Sequence, residues 1–215
     1  ASCGLVWKAY GVTVAGSVEI AARIDEKIIS PVDASDNGVD LYTPLVEKVN
    51  PYLIQNFISS FNPTWKESND QADQYFKKMV DFARTLLARE INIVKDEMEG
   101  EKAVSAAYTA SEDKRLIILD RDYPFEKIIT QYSEPLFVIY PNSVGDMWRL
   151  KTVRKDFASY KSRKELPVAW AGKKDQELQS ITGVSDAVFC HNKRFTSGAR
   201  SKEGALALAR IALES

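Results

Sequence analysis

The sequence predicts a helical first part followed by an α+β second part, divided near Gly100. Two observations predict this. Through residue 98, apolar residues recur at three- and four-residue intervals, the helical period. From residue 115 they close up into short runs at 115–120 and 135–140, then alternate across 147–153, as strands do. With 215 residues, 45% hydrophobic and 27% charged, the chain has the makeup of ordinary globular domains. It is long enough for one large domain or two small ones, and for a core that needs no metal or disulfide.

Residues 2–10 read as a short helix stopped by Gly11. Residues 17–29 place Val18, Ala21, Ala22, Ile24, Ile28 and Ile29 on one stripe of a second helix, ended near Pro31. A turn carrying Asp33 and Asp36 follows, with Asn37-Gly38 suited to positive φ. Residues 45–49 and 52–61 have helical spacing, interrupted at Asn50-Pro51. The stretch 70–98 is the clearest helix: Ala72, Phe76, Met79, Ala83, Leu86, Leu87, Ile91, Val94 and Met98 form a core-facing stripe. Ser68 to Gln71 has capping-box spacing and Gly100 is the expected stop, with another short helix over 101–108.

In the second part, the runs at 135–140 and 147–153 form a hairpin across the turn at 142–146. Residues 161–174 are a basic, Pro-containing connection. A short helix at 175–181, a strand at 187–191 and a last helix at 202–213 complete it, with Ser201 as N-cap.

Net charge is −1, but the sign is unevenly spread: +6 over residues 141–215 and −7 over the rest. That distribution permits an anionic partner on the C-terminal part and cations near the N-terminal part. Cys3 and Cys190 are far apart without CxxC spacing, so free thiols in a reducing compartment are expected. No apolar run approaches the ~20 residues of a membrane span, and no signal peptide is expected ahead of the first helix. The chain opens on Ala1 and not on Met, which predicts a fragment.

Two places have the residue types for chemistry. Asp33 and Asp36, three apart at a helix end, are suited to a divalent cation; the alternative is a capped turn. The second is the stretch from His191 to Ser201. It contains the only histidine, the cations Lys193, Arg194 and Arg200, the small residues Ser197 and Gly198, and a helix start at Ser201. Backbone N–H groups at such a start, helped by the dipole and by guanidinium forks, bind phosphate; the alternative is a capped loop facing water. A zinc site from Cys3, Cys190 and His191 lacks paired spacing and a fourth ligand. There is no Walker loop, dinucleotide fingerprint or GxSxG elbow.

Five stretches together resemble one family. They are Ser2-Cys3-Gly4-Leu5-Val6-Trp7-Lys8-Ala9-Tyr10-Gly11, Val32-Asp33-Ala34-Ser35-Asp36-Asn37-Gly38, Phe61-Asn62-Pro63-Thr64-Trp65, Leu166-Pro167-Val168-Ala169-Trp170-Ala171-Gly172, and Val188-Phe189-Cys190-His191 followed by residues 195–206. The sequence is similar to the melanocyte-proliferating-gene proteins, also called metal-dependent protein hydrolases, of the DHH phosphoesterase superfamily. The resemblance implies an α/β fold, α+β in the part present: residues 1–100 as the helical remainder of a DHH-type catalytic domain, and 101–215 as an α+β substrate-binding domain.

It also implies metal-dependent phosphodiester hydrolysis, as a 3′–5′ RNA exonuclease, with Mn²⁺ or Mg²⁺ as cofactor and RNA or an oligonucleotide as partner. Cytoplasm, nucleus and mitochondrion are the implied locations. The family's first metal motifs, His-x-Gly-x-Phe-His-Ala-Asp-Glu and Asp-His-His, lie upstream of the start of this chain. The fragment is therefore expected to be catalytically incomplete. By the resemblance Asp36 is the matching metal ligand and Asp33 the second choice. His191, Arg194, Ser197, Gly198, Arg200 and Ser201 are the substrate-binding set. The family's Gly-Gly is Ser197-Gly198 here. The alternative function is a non-catalytic module that binds nucleic acid or protein.

Overall fold

The computed structural model describes residues 2–215, apart from the side chain of Asn69. It divides into two compact units, Ala1–Asp96 and Glu97–Ser215. The division falls inside one helix.

The first unit is helical. Helix α1 (Ser2–Ala15) passes through Gly11 without stopping. The Trp7 ring lies over Gly11, where a Cβ would come within 2.7 Å of it. The chain turns only at Gly16, whose φ is +84°. Trp7 Nε1 donates to the Ala21 carbonyl at 3.1 Å and ties α1 to α2 (Val18–Ile24). Ser17 caps α2, its hydroxyl accepting from the Ile20 N–H.

Pro31 does not end this region. One π turn, Asp25–Ile29, leads directly into α3 (Ser30–Asp36). Pro31 falls at the start of α3, where a missing N–H costs least. The expected turn is thus two turns of helix, closed by Asn37 and by Gly38 at φ +76°.

Residues 45–49 are not helical: Lys48 has φ +62°, and Leu45 is almost wholly exposed. Helix α4 (Ile54–Ser59) sets Phe57 against Phe82 of α5 (Ala72–Ala110), ring centroids 4.8 Å apart. Ile20, Ile24 and Ile29, with Ile91 and Val94, are buried. Lys27 pairs with Glu90 at 2.7 Å.

Helix α5 continues past Gly100, so the stop and the separate helix at 101–108 are one element. Gly100 is buried because Pro124 packs against it: a Cβ there would meet Pro124 Cδ at 3.1 Å. The small residue serves close packing and not a C-cap.

The second unit is a mixed five-stranded sheet covered on both faces, in the α/β or α+β class that the sequence predicts. The strands are β1 (Leu116–Ile118), β2 (Phe137–Pro141), β3 (Trp148–Thr152), β4 (Ala187–Cys190) and β5 (Thr196–Ala199), in the order β1-β2-β3-β5-β4. Only the β1–β2 pair is parallel. Along β2, Phe137 and Ile139 enter one core with Leu150, Leu166, Trp170, Leu178 and Leu208. Val138 and Tyr140 enter the other with Val104, Ile117, Leu119, Phe125 and Ile129. The first core is closed by α7 (Asp175–Thr182) and α8 (Lys202–Glu214), the second by the end of α5 and by α6 (Glu126–Ile129). Burial on both faces is why β2 reads as one unbroken apolar run. Among the described residues no helix is long and apolar enough to cross a membrane.

The sequence does not predict strand β5, since Thr-Ser-Gly-Ala has no apolar alternation and only Thr196 favours a strand. It is nevertheless internal, hydrogen-bonded to β3 and β4, and all four residues are buried. Gly198 has no room for a side chain: a Cβ would lie 2.9 Å from the Phe189 ring, 3.0 Å from Met147 Sδ and 3.2 Å from the Trp148 carbonyl. Gly198→Ala is expected to lower stability by about 1–3 kcal/mol through overpacking, although alanine loses less backbone entropy. Thermal unfolding checks this, and a variant as stable as the parent would overturn the packing account.

Candidate functional site

The stretch from His191 to Ser201 is not one loop. It is a hairpin turn, a buried strand and a helix cap, so its candidate residues divide three ways.

His191 and Arg194 lie at the turn joining β4 to β5. The His191 N–H donates to the Thr196 carbonyl at 2.9 Å, and the Arg194 N–H to the His191 carbonyl at 2.8 Å. Arg194 takes φ +55° to close the turn. The imidazole is exposed, lies tilted at 48° against Phe195 with centroids 4.4 Å apart, and accepts the Lys193 N–H at Nδ1. The Arg194 guanidinium is engaged, paired with the Glu165 carboxylate and donating to the Leu166 carbonyl at 3.2 Å.

Ser197 and Gly198 lie inside the sheet. Ser197 is wholly buried and its hydroxyl donates to the Phe189 carbonyl at 2.6 Å. Gly198 is walled in as described. Neither is placed to touch a ligand, and glycine is needed for Phe189, Met147 and Trp148 rather than for a phosphate.

Arg200 and Ser201 follow the far end of β5. Five extended residues, 195–199, separate Arg200 from Arg194, roughly 20 Å. Ser201 caps α8 as expected, accepting the Gly204 N–H at 3.0 Å. The helix start already holds an anion. Asp186 Oδ2 accepts from the Ser201 N–H at 2.8 Å and from the Ser201 hydroxyl at 2.6 Å. Gly204 makes room for it, since a Cβ there would sit 2.0 Å from Asp186 Oδ1. The carboxylate thus takes the place at the dipole that the sequence suggests for phosphate. Arg200 is exposed, and its N–H donates to the Asp186 carbonyl at 3.0 Å.

Lys193 and Arg194, from the expected loop, instead line a groove at the other end of β5 whose remaining walls sequence reasoning missed. Its volume is about 860 Å³, within the ~300–1,000 Å³ of ligand clefts. Register places it: Lys151 pairs with Thr196, so the exit of β3 lies beside the entry to β5. From β3 the chain forms a second small hairpin, with Arg154 bridged to Ser162 and the Lys155 N–H on the Lys161 carbonyl at 2.9 Å. Thr152 joins the two hairpins. Its N–H donates to the Phe195 carbonyl at 2.9 Å, and its hydroxyl lies 2.7 Å from that of Ser162.

Six cations line the groove, Lys151, Arg154, Lys155, Lys161, Lys193 and Arg194, against one carboxylate, Glu165. Lys151 pairs with Glu126 and Arg194 with Glu165. Arg154 lies over the Tyr160 ring at 4.6 Å. Lys155, Lys161 and Lys193 are exposed. The groove therefore has a positive potential with aromatic surface beside it, the combination that holds a phosphodiester chain. The signal in the sequence was the basic run near residue 161, read there as a connection.

Asp33 and Asp36 share one face of α3, three residues apart. Asp33 accepts the Gly4 N–H at 2.8 Å, which holds its carboxyl below the usual range. Asp36 is exposed at the helix end. Among the described residues no group of three His, Cys, Asp or Glu is gathered as a metal would require. Two carboxylates, one of them engaged, do not fit a catalytic metal pair on their own. Burial pushes the Cys3 thiol up, and the carboxylates of Asp33, Asp25 and Asp36 push it further. Burial pushes Cys190 up to about 11, so it stays protonated at neutral pH and is neither nucleophile nor ready metal ligand.

Two outcomes follow from these contacts. Asp186→Ala is expected to lower stability by about 1–3 kcal/mol, since it strands a helix-start N–H and a hydroxyl. Unchanged denaturant unfolding would mean that the carboxylate does not hold the cap. For Asp33 the folded pKa is depressed, so its contribution is present above the unfolded value, ~3.9, and is lost as pH falls through the lower folded value. The difference in melting temperature between the parent and Asp33→Asn should be constant above about pH 5 and shrink below about pH 4. A difference unchanged at low pH would show that charge plays no part in the α1–α3 tie.

The sequence has relatives of known name. "MYG1 protein C27H6.8" of Caenorhabditis elegans is 26% identical over 240 aligned positions, covering 99% of this chain and 70% of that protein. "MYG1 exonuclease" of Bos taurus is 28% identical over 209 positions, with coverage of 89% and 54%. "MYG1 protein C694.04c" of Schizosaccharomyces pombe is 27% identical over 239 positions, with coverage of 99% and 73%. This chain thus spans just over half of the bovine protein and under three quarters of the other two. No solved structure matches. The profile of the MYG1_exonuc family, described as "Uncharacterised protein family (UPF0160)", matches residues 1–213, and the chain belongs to that family.

Proposed function

We propose that this chain acts in phosphodiester hydrolysis of nucleic acid, with the second unit gripping the substrate backbone in the Lys155–Lys161–Lys193 groove. The observation that carries the reading is the groove itself: six cations and one carboxylate, framed by Tyr160 and Phe195, in a chain with relatives named exonuclease. The finer reading is a 3′–5′ exonuclease acting on RNA and dependent on Mn²⁺ or Mg²⁺.

The chemistry of this chain's own residues is binding. Lysine ammonium groups take phosphate oxygens as point charges, and the fixed Arg194–Glu165 pair sets one wall. A divalent ion would activate water and offset charge on the scissile phosphate. Asp36 is the ligand this chain offers, and no step is assigned to the residues present. A second reading is a nucleic-acid-binding module without catalysis. The groove favours it to the extent that its charge needs no metal.

Fluorescence anisotropy with labelled single-stranded RNA tests the binding. Affinity should fall linearly with the logarithm of salt concentration, and the Lys155→Gln/Lys161→Gln variant should bind about tenfold more weakly with a salt slope reduced by about 1.4. Lys173→Gln, which loses only a pairing with Glu177, serves as control. Equal loss in control and variant would overturn the groove. Mn²⁺-dependent cleavage of labelled RNA is not expected of these residues alone, since Asp33 and Asp36 do not make a metal pair, and cleavage that disappears in Asp36→Asn would overturn that expectation.

A further inference from the structure

We infer that Tyr160 and Arg154 form a base-stacking subsite in this groove, so that the groove takes a nucleobase as well as a phosphate chain. The inference rests on the nucleic-acid reading above and goes beyond it by naming what is recognised. A groove that merely attracts polyanions needs cations alone. This one also holds an aromatic ring out in water at its rim.

Tyr160 is 86% exposed, unusual for a side chain with so large an apolar face. The Arg154 guanidinium lies over one face of the ring, 4.6 Å from its centroid. With that exposure, the opposite face is open. The backbone that carries the ring is also held in place. Arg154 is bridged to Ser162, and the Lys155 N–H donates to the Lys161 carbonyl, so the 154–162 hairpin is closed on both sides of Tyr160. Its base is fixed to the β4–β5 turn through Thr152 and Ser162.

The arrangement is a three-layer stack with its outer layer open. The cation polarises the ring from one side, and a flat, polarisable group is the natural partner on the other. Any base offers such a face, so the subsite is tolerant of sequence. Lys155 and Lys161 flank the ring in the chain, within reach of phosphates on either side of a stacked nucleotide. Paired bases in a duplex present edges rather than faces, so the subsite selects unpaired strands.

The test uses two labelled oligomers of equal length and charge, oligouridylate and the same backbone with abasic sugars, bound to the full 215-residue chain. The parent should bind oligouridylate about tenfold more tightly than the abasic oligomer. Tyr160→Ala should erase that preference and leave abasic binding within about twofold, while Tyr160→Phe should keep it. The exposed ring carries no core packing, and matched thermal unfolding confirms that both variants are folded. Equal affinity of the parent for the two oligomers would overturn the subsite, as would a Tyr160→Ala loss equal for both. Tight abasic binding in that case would leave the phosphate groove standing. No binding of either oligomer would overturn both.

Discussion

The second unit depends on the strand Thr196–Ala199 being paired on both sides. Its backbone lies between β3 and β4 with every residue buried, so each peptide group must find a partner in the sheet or lose one altogether. Only small residues fit there. The Ser197 hydroxyl turns onto the Phe189 carbonyl, and Gly198 leaves room for Phe189, Met147 and Trp148. Once that strand is fixed, both of its ends are fixed. One end delivers Ser201 to Asp186 and starts α8. The other delivers Phe195 to Thr152 and so closes the groove. A basic groove and a sealed helix start at opposite ends of one strand are consequences of a single register.

That register also decides what the positive charge of residues 141–215 can do. Much of it is held by the fold. Arg163 donates to the carbonyls of Tyr132, Pro135 and Thr130 and clips that segment to the sheet. Lys164 reaches the Leu213 carbonyl at the end of α8, where a cation also suits the helix dipole. Lys151, Arg194 and Lys173 each have a carboxylate. Among the described residues, what faces the groove without such a partner is Lys155, Lys161 and Lys193, beside the Arg154–Tyr160 stack. A lysine in water is a mobile point charge and loses side-chain entropy when it binds. Three of them around one concavity gain from a multivalent anion, because its charges are already tethered to one another.

The parts legible in the sequence were those whose signal is local. The 202–214 helix with Ser201 as its cap, the β2–β3 hairpin and the buried run of β2 follow from periodicity and turn chemistry. The unread parts have causes elsewhere in the chain. Gly11 and Gly100 look like helix stops, but each is small because a ring or a proline lies against it. Pro31 looks like a terminator, yet it falls at a helix start that a π turn makes available. Asp186, fifteen residues before Ser201, fills the helix start, and no spacing rule connects the two. Thr-Ser-Gly-Ala becomes a strand only because two other strands lie on either side of it. The groove was unread for the same reason. Its cations come from β3, the 154–162 hairpin and the β4–β5 turn, and sequence gives their sum of charge but not which of them already have partners.

The placement of charge and rings also bears on what kind of catalytic contribution this chain can make. Lysines and a stacking ring contact parts of a strand that do not change during phosphodiester cleavage. Such contacts bind substrate and transition state alike, which lowers KM without raising kcat. Rate acceleration at a phosphodiester needs groups aimed at charge that develops on the reacting oxygens. The carboxylates that approach this description, Asp33 and Asp36, belong to α3 of the first unit, and one of them is already spent on Gly4. Under the proposed function the two units therefore contribute different quantities. The second sets how tightly and in which form the strand is held. The first carries Asp36, the candidate ligand for the ion that would do the chemistry. Substitutions in the groove and at Asp36 act on separate kinetic constants for that reason, and a variant that moved both together would point to a role in folding rather than in either.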